Sequence, residues 1–243
     1  KNWELIFWDN RSVDNSAKIF KKYKDKRFKY FYADKHTTLY KARNLAITKS
    51  TGEFISFLDV DDLWDENKLE KQMHYFKDFK VGVVYTNYWF IKKDLTKKKI
   101  NFKRKLYHGK IYSNLIKKYN IGILTTIIRK KYYLELNKKF DERFSIIGDF
   151  DLFLRLSKIC LFESIQTPLA YYRLHGKNLS IIHSDKEIEE LNIWLEENEH
   201  HLNKQDIKII RNNIYQRKFV NFRISGKYKE CFEIITNSGV NLL

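Results

Sequence analysis

The chain reads Glu53-Phe54-Ile55-Ser56-Phe57-Leu58-Asp59-Val60-Asp61-Asp62 at residues 53–62, an apolar run that ends in three carboxylates within four positions. An apolar run of this length is typical of a buried strand. A similar run, Trp3-Glu4-Leu5-Ile6-Phe7-Trp8, ends at Asp9. Each run is followed by a polar turn and a helical pattern. The alternation predicts an α/β domain with a mostly parallel sheet flanked by helices, in which ligands bind beyond the carboxyl ends of the strands.

The same patterns predict where the individual elements lie. We expect strands at 3–8, 28–33, 53–58 and 81–85, and helices at 17–23, 40–48 and from residue 149 onward. The composition shifts near residue 182, and three helical segments follow it. We therefore predict an α/β domain over residues 1–182 and a helical C-terminal extension over residues 183–243.

Composition limits the possible classes of protein. The chain has 243 residues, a formal net charge of +17, 43% apolar and 16% aromatic residues, which excludes a disordered chain. The basic excess suits nucleic acid, an anionic membrane surface or a phosphorylated substrate, and a skewed genome composition would produce it equally well. The two cysteines lack the spacing of a disulfide framework or a zinc site, so we predict a chain in the reducing cytoplasm. The longest uncharged apolar run, 121–128, is too short to span a bilayer, so we predict no transmembrane helix.

Several sequence motifs of catalysis are absent. The 8 glycines form neither GxGxxG nor the Walker pattern, the 7 histidines form no HExxH, and no serine lies in GxSxG. These absences exclude the corresponding nucleotide-binding loops and hydrolases.

The acidic turn at 59–62 is the strongest chemical signal in the sequence. Clustered carboxylates repel one another unless a cation lies among them. Oxygen ligands are those that Mg²⁺ and Mn²⁺ prefer, with phosphates and water completing the shell. The alternative is an acidic turn that caps the helix expected near Asp65.

Five segments of the chain occur in a characteristic order: 3–16 (WELIFWDNRSVDNS), 42–44 (ARN), 57–62 (FLDVDD), 148–156 (GDFDLFLRL) and 171–180 (YYRLHGKNLS). With these segments the chain resembles family 2 glycosyltransferases of the GT-A fold over most of residues 1–182. The resemblance implies a metal-dependent, inverting transfer of a sugar from a nucleotide-diphosphate sugar, UDP-linked, to a hydroxyl. It also implies a glycan or lipid-linked acceptor and a place in the synthesis of bacterial-type surface polysaccharide or lipopolysaccharide.

The resemblance also implies roles for the residues on the donor side of the site. Asp59-Val60-Asp61 matches the DxD motif, in which the first carboxylate faces the ribose and the later one binds Mn²⁺ or Mg²⁺. Asp62 extends this acidic cluster, and either the ribose-facing role or the metal-binding role is open to it. His175 matches a histidine that reaches the metal, and a purely structural role for it stays open.

The remaining implied roles concern the nucleotide and the acceptor. Asp9, Asn10 and Arg43 match nucleotide-contacting positions. Asp149 matches the catalytic base, which takes the proton of the acceptor hydroxyl, with Asp151 as its competitor. Helix N-capping is the alternative for both aspartates.

This sequence departs from the family pattern in three places. Gly148 replaces the glutamate that commonly precedes the base, and Asn10-Arg11 replaces a common Asp-Gly. The strand and helix that the family carries ahead of Trp3 are expected to be missing.

Two other functions remain open from the sequence. The first is a non-catalytic module that binds a nucleotide sugar or acts as a membrane adaptor. The second is a basic nucleic-acid-binding protein, which leaves 59–62 unexplained, so we expect no nucleic acid partner. The lysine-rich segments 97–99 and 103–105 favour instead a peripheral place on the anionic inner face of a membrane.

Overall fold

Strands and helices alternate through the first half of the chain, as the sequence predicts. The computed structural model describes residues 2–92, 98–176, 178 and 182–238. The elements are β1 (Leu5–Asp9), α1 (Ser16–Phe20), β2 (Phe28–Tyr32), α2 (Leu39–Thr48), β3 (Phe54–Ser56), β4 (Leu63–Trp64), α3 (Lys68–Met73), β5 (Val81–Ile91), β6 (Lys98–Ile100), α4 (Tyr112–Lys117), β7 (Ile127–Arg129), α5 (Lys130–Glu135), α6 (Gly148–Ile159), β8 (Leu161–Arg173), α7 (Ser184–Asn198), α8 (Lys204–Ile224) and α9 (Tyr228–Ser238). Among these residues, no helix combines the length and the apolar composition needed to cross a bilayer.

The described strands form two sheets. β1 and β2 pair in parallel, from Leu5 opposite Phe28 to Asp9 opposite Tyr32. The larger sheet has the order β3-β7-β5-β8-β4, with β6 added against β5. Its longest pairing, β5 with β8, is parallel, whereas β3–β7, β5–β7, β4–β8 and β5–β6 are antiparallel. The α/β class is confirmed, and the parallel arrangement that the sequence predicts holds for the two longest pairings but not for the four short ones.

Strand β8 is an element that the sequence pattern does not predict. Its 13 residues include Pro168, which has no backbone N–H to donate to a neighbouring strand. The register with β5 shifts between Thr86 and Asn87, and Pro168 lies opposite Asn87 at that irregularity. The bulge accommodates the proline and lets the strand continue to Arg173, which ends beside the acidic turn.

The C-terminal helices pack into the same hydrophobic core as the sheet. Leu191 and Trp194 of α7 and Ile210 of α8 are buried in one cluster with Val83 of β5 and Leu152 of α6. The helices predicted after residue 184 are present. The hydrophobic core is continuous across residue 182 and therefore marks no boundary there. The division at residue 182 stays a prediction.

Glu4 fixes the start of β1 beside the loop that leads into β3. Its carboxylate accepts hydrogen bonds from the backbone N–H groups of Thr51 (2.5 Å) and Gly52 (3.2 Å) and from Lys29 Nζ (2.6 Å). Burial alone would raise the pKa of Glu4, but these hydrogen bonds outweigh burial and lower it to about 2. In the described residues β1 and β3 belong to different sheets, and residues of both strands line one cleft.

Candidate active site

A cleft of about 2530 Å³ extends from the space between β1 and β3 to the C-terminal helices. Most of the predicted site residues line it, namely Asn10, Arg43, Asp59, Asp61, Asp62, Asp149 and His175. These residues come from the end of β1, from α2, from the turn after β3, from the start of α6 and from the loop after β8. The fold therefore brings together residues that are more than a hundred positions apart. Asp9 and Asp151 are not part of the lining.

Arg43 and Asp59 form an ion pair at the entrance to the acidic turn. Arg43 Nη2 lies 2.9 Å from both carboxylate oxygens of Asp59. The arginine is 8% exposed, whereas the Asp59 side chain is 44% exposed and faces the cleft. The carboxylate thus holds the guanidinium in place, and a guanidinium suits a planar or anionic ligand group.

Asp61 and His175 are in contact with each other on the wall of the cleft. Asp61 Oδ2 lies 2.8 Å from His175 Nε2, and both side chains are partly exposed. Asn178 fixes the loop after β8, because its Oδ1 accepts the backbone N–H of His175 (2.6 Å) and its side-chain amide donates to the Arg173 carbonyl (3.0 Å). The acidic turn and the end of β8 are therefore held together at this point.

Asp62 is the most buried carboxylate of the acidic turn. It is 6% exposed, and its Oδ1 accepts the backbone N–H of Arg173 (2.9 Å). Burial raises the pKa of Asp62 to about 7, and the neighbouring Asp61 and Asp59 charges act in the same direction. Asp62 therefore ties the turn to β8.

The end of β1 is held by its own polar side chains. Asp9 is 1% exposed, and its carboxylate accepts the Ser12 N–H (2.7 Å) and the Tyr30 hydroxyl (2.6 Å). Burial alone would raise the pKa of Asp9, but these hydrogen bonds outweigh burial and lower it. Asn10 lines the cleft and binds the backbone of Thr37 through both its amide nitrogen (2.8 Å) and its oxygen (3.1 Å). Arg11 has φ of 73°, a backbone conformation that favours glycine.

Asp149 lies in the cleft at the start of α6. Its Oδ1 accepts the Phe150 N–H (2.9 Å) and the Tyr40 hydroxyl (3.3 Å), and its Oδ2 accepts the Tyr119 hydroxyl (3.0 Å). Burial raises the pKa of Asp149, against the opposing effects of Arg43 and of these hydrogen bonds. A carboxylate with a raised pKa is a better proton acceptor, which is what a general base needs.

Asp151 points away from the cleft, although it lies only two residues further along the same helix. Its Oδ2 accepts hydrogen bonds from Arg155 Nη2 (2.6 Å) and Nε (3.1 Å), and its Oδ1 accepts the Trp194 indole N–H (3.0 Å). Asp151 is 6% exposed. The side chain therefore joins α6 to α7 and does not reach Asp149's side of the helix.

The sequence did not identify three further side chains of the cleft. Tyr40 and Tyr119 bind Asp149, and Asn120 follows Tyr119 in the chain. Asn120 is 8% exposed, and within the described residues neither polar atom of its amide has a hydrogen-bond partner. A buried amide without partners is costly, so Asn120 suits a ligand that offers both a donor and an acceptor. Asn120 carries no motif; only its placement beside the cleft reveals it.

The donor atoms of Asp61 and His175 fit a divalent cation that is shared with a ligand. A carboxylate oxygen and an imidazole nitrogen lie within 2.8 Å of each other on the cleft wall. In the described part of the chain, no group of three or more His, Cys, Asp or Glu side chains is arranged to hold a metal. An ion at this point would complete its shell with water and ligand oxygens, as Mg²⁺ commonly does with phosphates.

Comparison with known proteins gives consistent similarities. Residues 1–155 match the sequence profile described as Glycosyl transferase family 2. The chain is 31% identical over 161 residues to the Escherichia coli UDP-Glc:alpha-D-GlcNAc-diphosphoundecaprenol beta-1,3-glucosyltransferase WfgD, covering 60% of this chain and 62% of that protein. It is also 31% identical over 134 residues to the putative teichuronic acid biosynthesis glycosyltransferase TuaG of Bacillus subtilis (strain 168), covering 54% and 52%. The chain thus spans less than two thirds of the length of these two relatives.

Solved structures show the same fold. The crystal structure of S. aureus TarS 1–349 superposes with a TM-score of 0.64 at 16% identity, covering 92% of this chain and 64% of that one. The same protein in complex with UDP-GlcNAc gives a TM-score of 0.64 over 89% of this chain and 64% of that one. This likeness confirms the predicted GT-A fold.

Proposed function

Since the chain belongs to glycosyltransferase family 2, we propose that it transfers a sugar from a nucleoside-diphosphate sugar to an acceptor hydroxyl, with inversion at the anomeric carbon. The observation that carries the proposal is the convergence in one cleft of the Arg43–Asp59 pair, the Asp61–His175 pair and Asp149. We assign the transfer to residues 1–182 and treat residues 183–243 as a helical extension, of which α7 and α8 line the far end of the cleft.

On the donor side, we propose that Asp59 contacts the ribose and that Arg43 contacts the base edge or the diphosphate. Asp61 and His175 would hold Mn²⁺ or Mg²⁺ together with diphosphate oxygens. Such an ion, when bound, neutralises the charge that develops on the departing diphosphate. Asp62, buried behind the turn, keeps Asp61 beside β8.

On the acceptor side, we propose that Asp149 is the general base. The acceptor oxygen attacks the anomeric carbon while its proton passes to the Asp149 carboxylate. The bond from the anomeric carbon to the diphosphate oxygen breaks on the opposite face, and its electron pair leaves with the diphosphate. The position of Asp149 in the cleft wall and its raised pKa support this assignment.

The names of the relatives suggest the substrate classes. WfgD is named for a UDP-glucose donor and a diphosphoundecaprenol-linked acceptor, and TarS was crystallised with UDP-GlcNAc. We propose a UDP-linked donor and a glycan or lipid-linked acceptor for this chain, in the synthesis of a bacterial-type surface polysaccharide or lipopolysaccharide. The corresponding location is the cytoplasm, at the inner face of the membrane.

A thermal-shift screen tests the proposed function. With Mn²⁺ present, we expect one UDP-sugar of a panel to raise the melting temperature, because a ligand of the folded state at 100 times its Kd adds about 2.7 kcal/mol of stability. That donor should then support transfer to a hydroxyl acceptor. If no nucleotide sugar shifts the melting temperature, the proposal is wrong. If the donor binds but no acceptor yields product, the non-catalytic binding module is the better description.

The basic surplus predicts reversible binding to an anionic membrane. Lys99, Lys103, Arg104 and Lys105 are exposed on the segment between β6 and α4, whereas Lys97 and the Lys98 side chain lie outside the described residues. Each lysine or arginine near an anionic surface contributes about 1 kcal/mol. We expect sedimentation with anionic vesicles at low salt, a steep loss with added salt, and no binding to neutral vesicles.

A charge-removal variant provides the control for vesicle binding. Lys103→Gln, Arg104→Gln and Lys105→Gln together change exposed side chains whose neighbours Phe102 and Leu106 stay buried, so the fold should be kept. The variant should bind anionic vesicles more weakly than the unmodified chain. If the unmodified protein is recovered equally in the supernatant with anionic and neutral vesicles, the prediction of membrane binding is wrong. The basic excess would then reflect only the composition of the chain.

A further inference from the structure

Two tyrosine hydroxyls hold the carboxylate of Asp149 from different elements. Tyr40 belongs to α2 and is 2% exposed, while Tyr119 lies in the loop after α4. The Tyr40 hydroxyl also lies 3.0 Å from the Ile146 carbonyl. Burial, together with the nearby Asp149 charge, raises the pKa of both tyrosines well above the usual range, so both hydroxyls are protonated donors at neutral pH.

Gly148 leaves the space that the Tyr40 ring occupies. A Cβ atom at residue 148 would lie 2.6 Å from Cδ2 and Cε2 of Tyr40, which is much closer than a carbon–carbon contact allows. The Tyr40 ring is stacked on Phe140 at 5.2 Å and cannot withdraw easily. A side chain at residue 148 therefore excludes the observed position of Tyr40, and the glycine and the tyrosine belong together.

The hydrogen bonds differ between the two oxygens of Asp149. Oδ1 accepts two donors, the Phe150 N–H and the Tyr40 hydroxyl, whereas Oδ2 accepts the Tyr119 hydroxyl. A carboxylate oxygen has about two lone-pair sites. The single hydrogen of the Tyr40 hydroxyl is shared between Oδ1 (3.3 Å) and the closer Ile146 carbonyl (3.0 Å), and in the described residues Oδ2 has one donor and one lone-pair site left.

We propose that Tyr40 and Tyr119 are positioning residues that orient the Asp149 carboxylate so that Oδ2 receives the proton of the acceptor hydroxyl, with Gly148 required to admit Tyr40. This inference rests on the proposed function. It gives the departure at Gly148 a physical role, since the space that the usual glutamate side chain would need is filled by a tyrosine that acts on the neighbouring aspartate.

The other groups that face Asp149 do not replace these hydroxyls. Burial raises the pKa of Asp149, and the Arg43 charge opposes it through space; burial, with smaller effects of Tyr172 and Asp149, raises the pKa of Tyr88. No hydrogen bond between Arg43 and Asp149 is present among the described contacts, since Arg43 Nη2 binds Asp59. The direction in which the carboxylate points is therefore set by Tyr40, Tyr119 and the Phe150 N–H.

Single hydroxyl deletions test the proposal. Tyr119→Phe and Tyr40→Phe keep the rings and should leave the donor KM unchanged. The kcat should fall roughly 10- to 100-fold for Tyr119→Phe, since a hydrogen bond to a charged group is lost. The acidic limb of the kcat/KM profile should move to higher pH, because removing a donor that lowers the pKa of Asp149 lets that pKa rise.

A tyrosine outside the cleft is the matched control. Tyr85 is fully buried in β5, and its hydroxyl donates to the Tyr107 carbonyl (2.7 Å). Tyr85→Phe should lower the melting temperature without moving the pH profile. If Tyr119→Phe and Tyr40→Phe behave like Tyr85→Phe, the positioning role is wrong.

A double variant tests whether Gly148 and Tyr40 act together, and the activity of the unmodified protein tests the proposed function. Gly148→Ala and Tyr40→Phe should not be additive in kcat, because both act through the same hydroxyl. Additive losses would overturn the pairing of Gly148 with Tyr40, and if Gly148→Ala does not fold, the Tyr40→Phe profile still decides. An unmodified protein that shows no transfer at all would contradict the proposed function instead.

Discussion

Asp149→Asn should keep donor affinity and lose about 10²- to 10⁴-fold in kcat, the usual contribution of a general base. An amide cannot take the acceptor proton, but it has nearly the shape of the carboxylate. Its oxygen can still accept from Tyr119 or from the Phe150 N–H, so the start of α6 should remain ordered. The measurement is steady-state transfer, combined with calorimetric titration of the donor into both proteins.

Asp151→Asn is the matched control on the same helix. Asp151 binds Arg155 and the Trp194 indole, so its replacement weakens a partly buried ion pair and should lower the melting temperature. Transfer should persist at temperatures where this variant is folded. If Asp151→Asn loses transfer and Asp149→Asn retains it, the roles of the two aspartates are reversed.

The elements that the sequence predicts well are those set by local patterns. The run at 53–58 is an apolar segment bounded by polar residues, and it forms β3 with the acidic turn directly after it. The helical stripe from residue 149 forms α6, and the segments after residue 184 form α7, α8 and α9. In each case the spacing of the apolar residues in the sequence matches the period of the helix or strand that buries them.

The pairing of the strands depends on long-range contacts that no local pattern contains. β8 carries polar residues and a proline, and it becomes a strand because β5 and β4 lie on its two sides. The antiparallel partners of β5, β6 and β7, are only three residues long, too short for a periodic pattern to show. They become strands through their pairing with β5.

The composition of the site was predictable, but the direction in which each side chain points was not. Asp9 and Asp151 both have the residue type and the sequence position of site residues. The structure turns Asp9 towards Tyr30 and Asp151 towards Arg155. In both cases a partner on another turn or strand satisfies the carboxylate, and such partners are visible only in three dimensions.

The tyrosines around Asp149 are the clearest example of this limit. Tyr40 and Tyr119 lie 109 and 30 positions from Asp149 in the sequence. An isolated tyrosine in an apolar context is indistinguishable from a core residue, and Tyr40 is indeed buried in the core. Gly148 gives no local signal of Tyr40 either, because glycine is common at helix starts and its closeness to the Tyr40 ring is visible only in the structure.

Asp61→Ala should abolish the divalent-dependent part of nucleotide binding and leave the fold intact. The Asp61 side chain is 39% exposed and faces His175, so its loss removes no packing from the core. The backbone carbonyl of Asp61, which accepts from Arg173 Nε (2.8 Å), is retained. With Mn²⁺ present, we expect the calorimetric Kd for UDP to rise more than about 100-fold, since loss even of groups that only support a metal ligand costs 10- to 100-fold.

Titrations in EDTA and a second aspartate variant make this result specific. In EDTA the unmodified protein and Asp61→Ala should bind UDP equally weakly, because the ion that distinguishes them is absent. Asp65→Ala removes the same charge from a neighbouring position that does not line the cleft, where Asp65 accepts the Asn67 N–H (3.0 Å). It should retain Mn²⁺-dependent binding. Unchanged UDP affinity in Asp61→Ala, with Mn²⁺ and with EDTA, would show that Asp61 does not hold the metal.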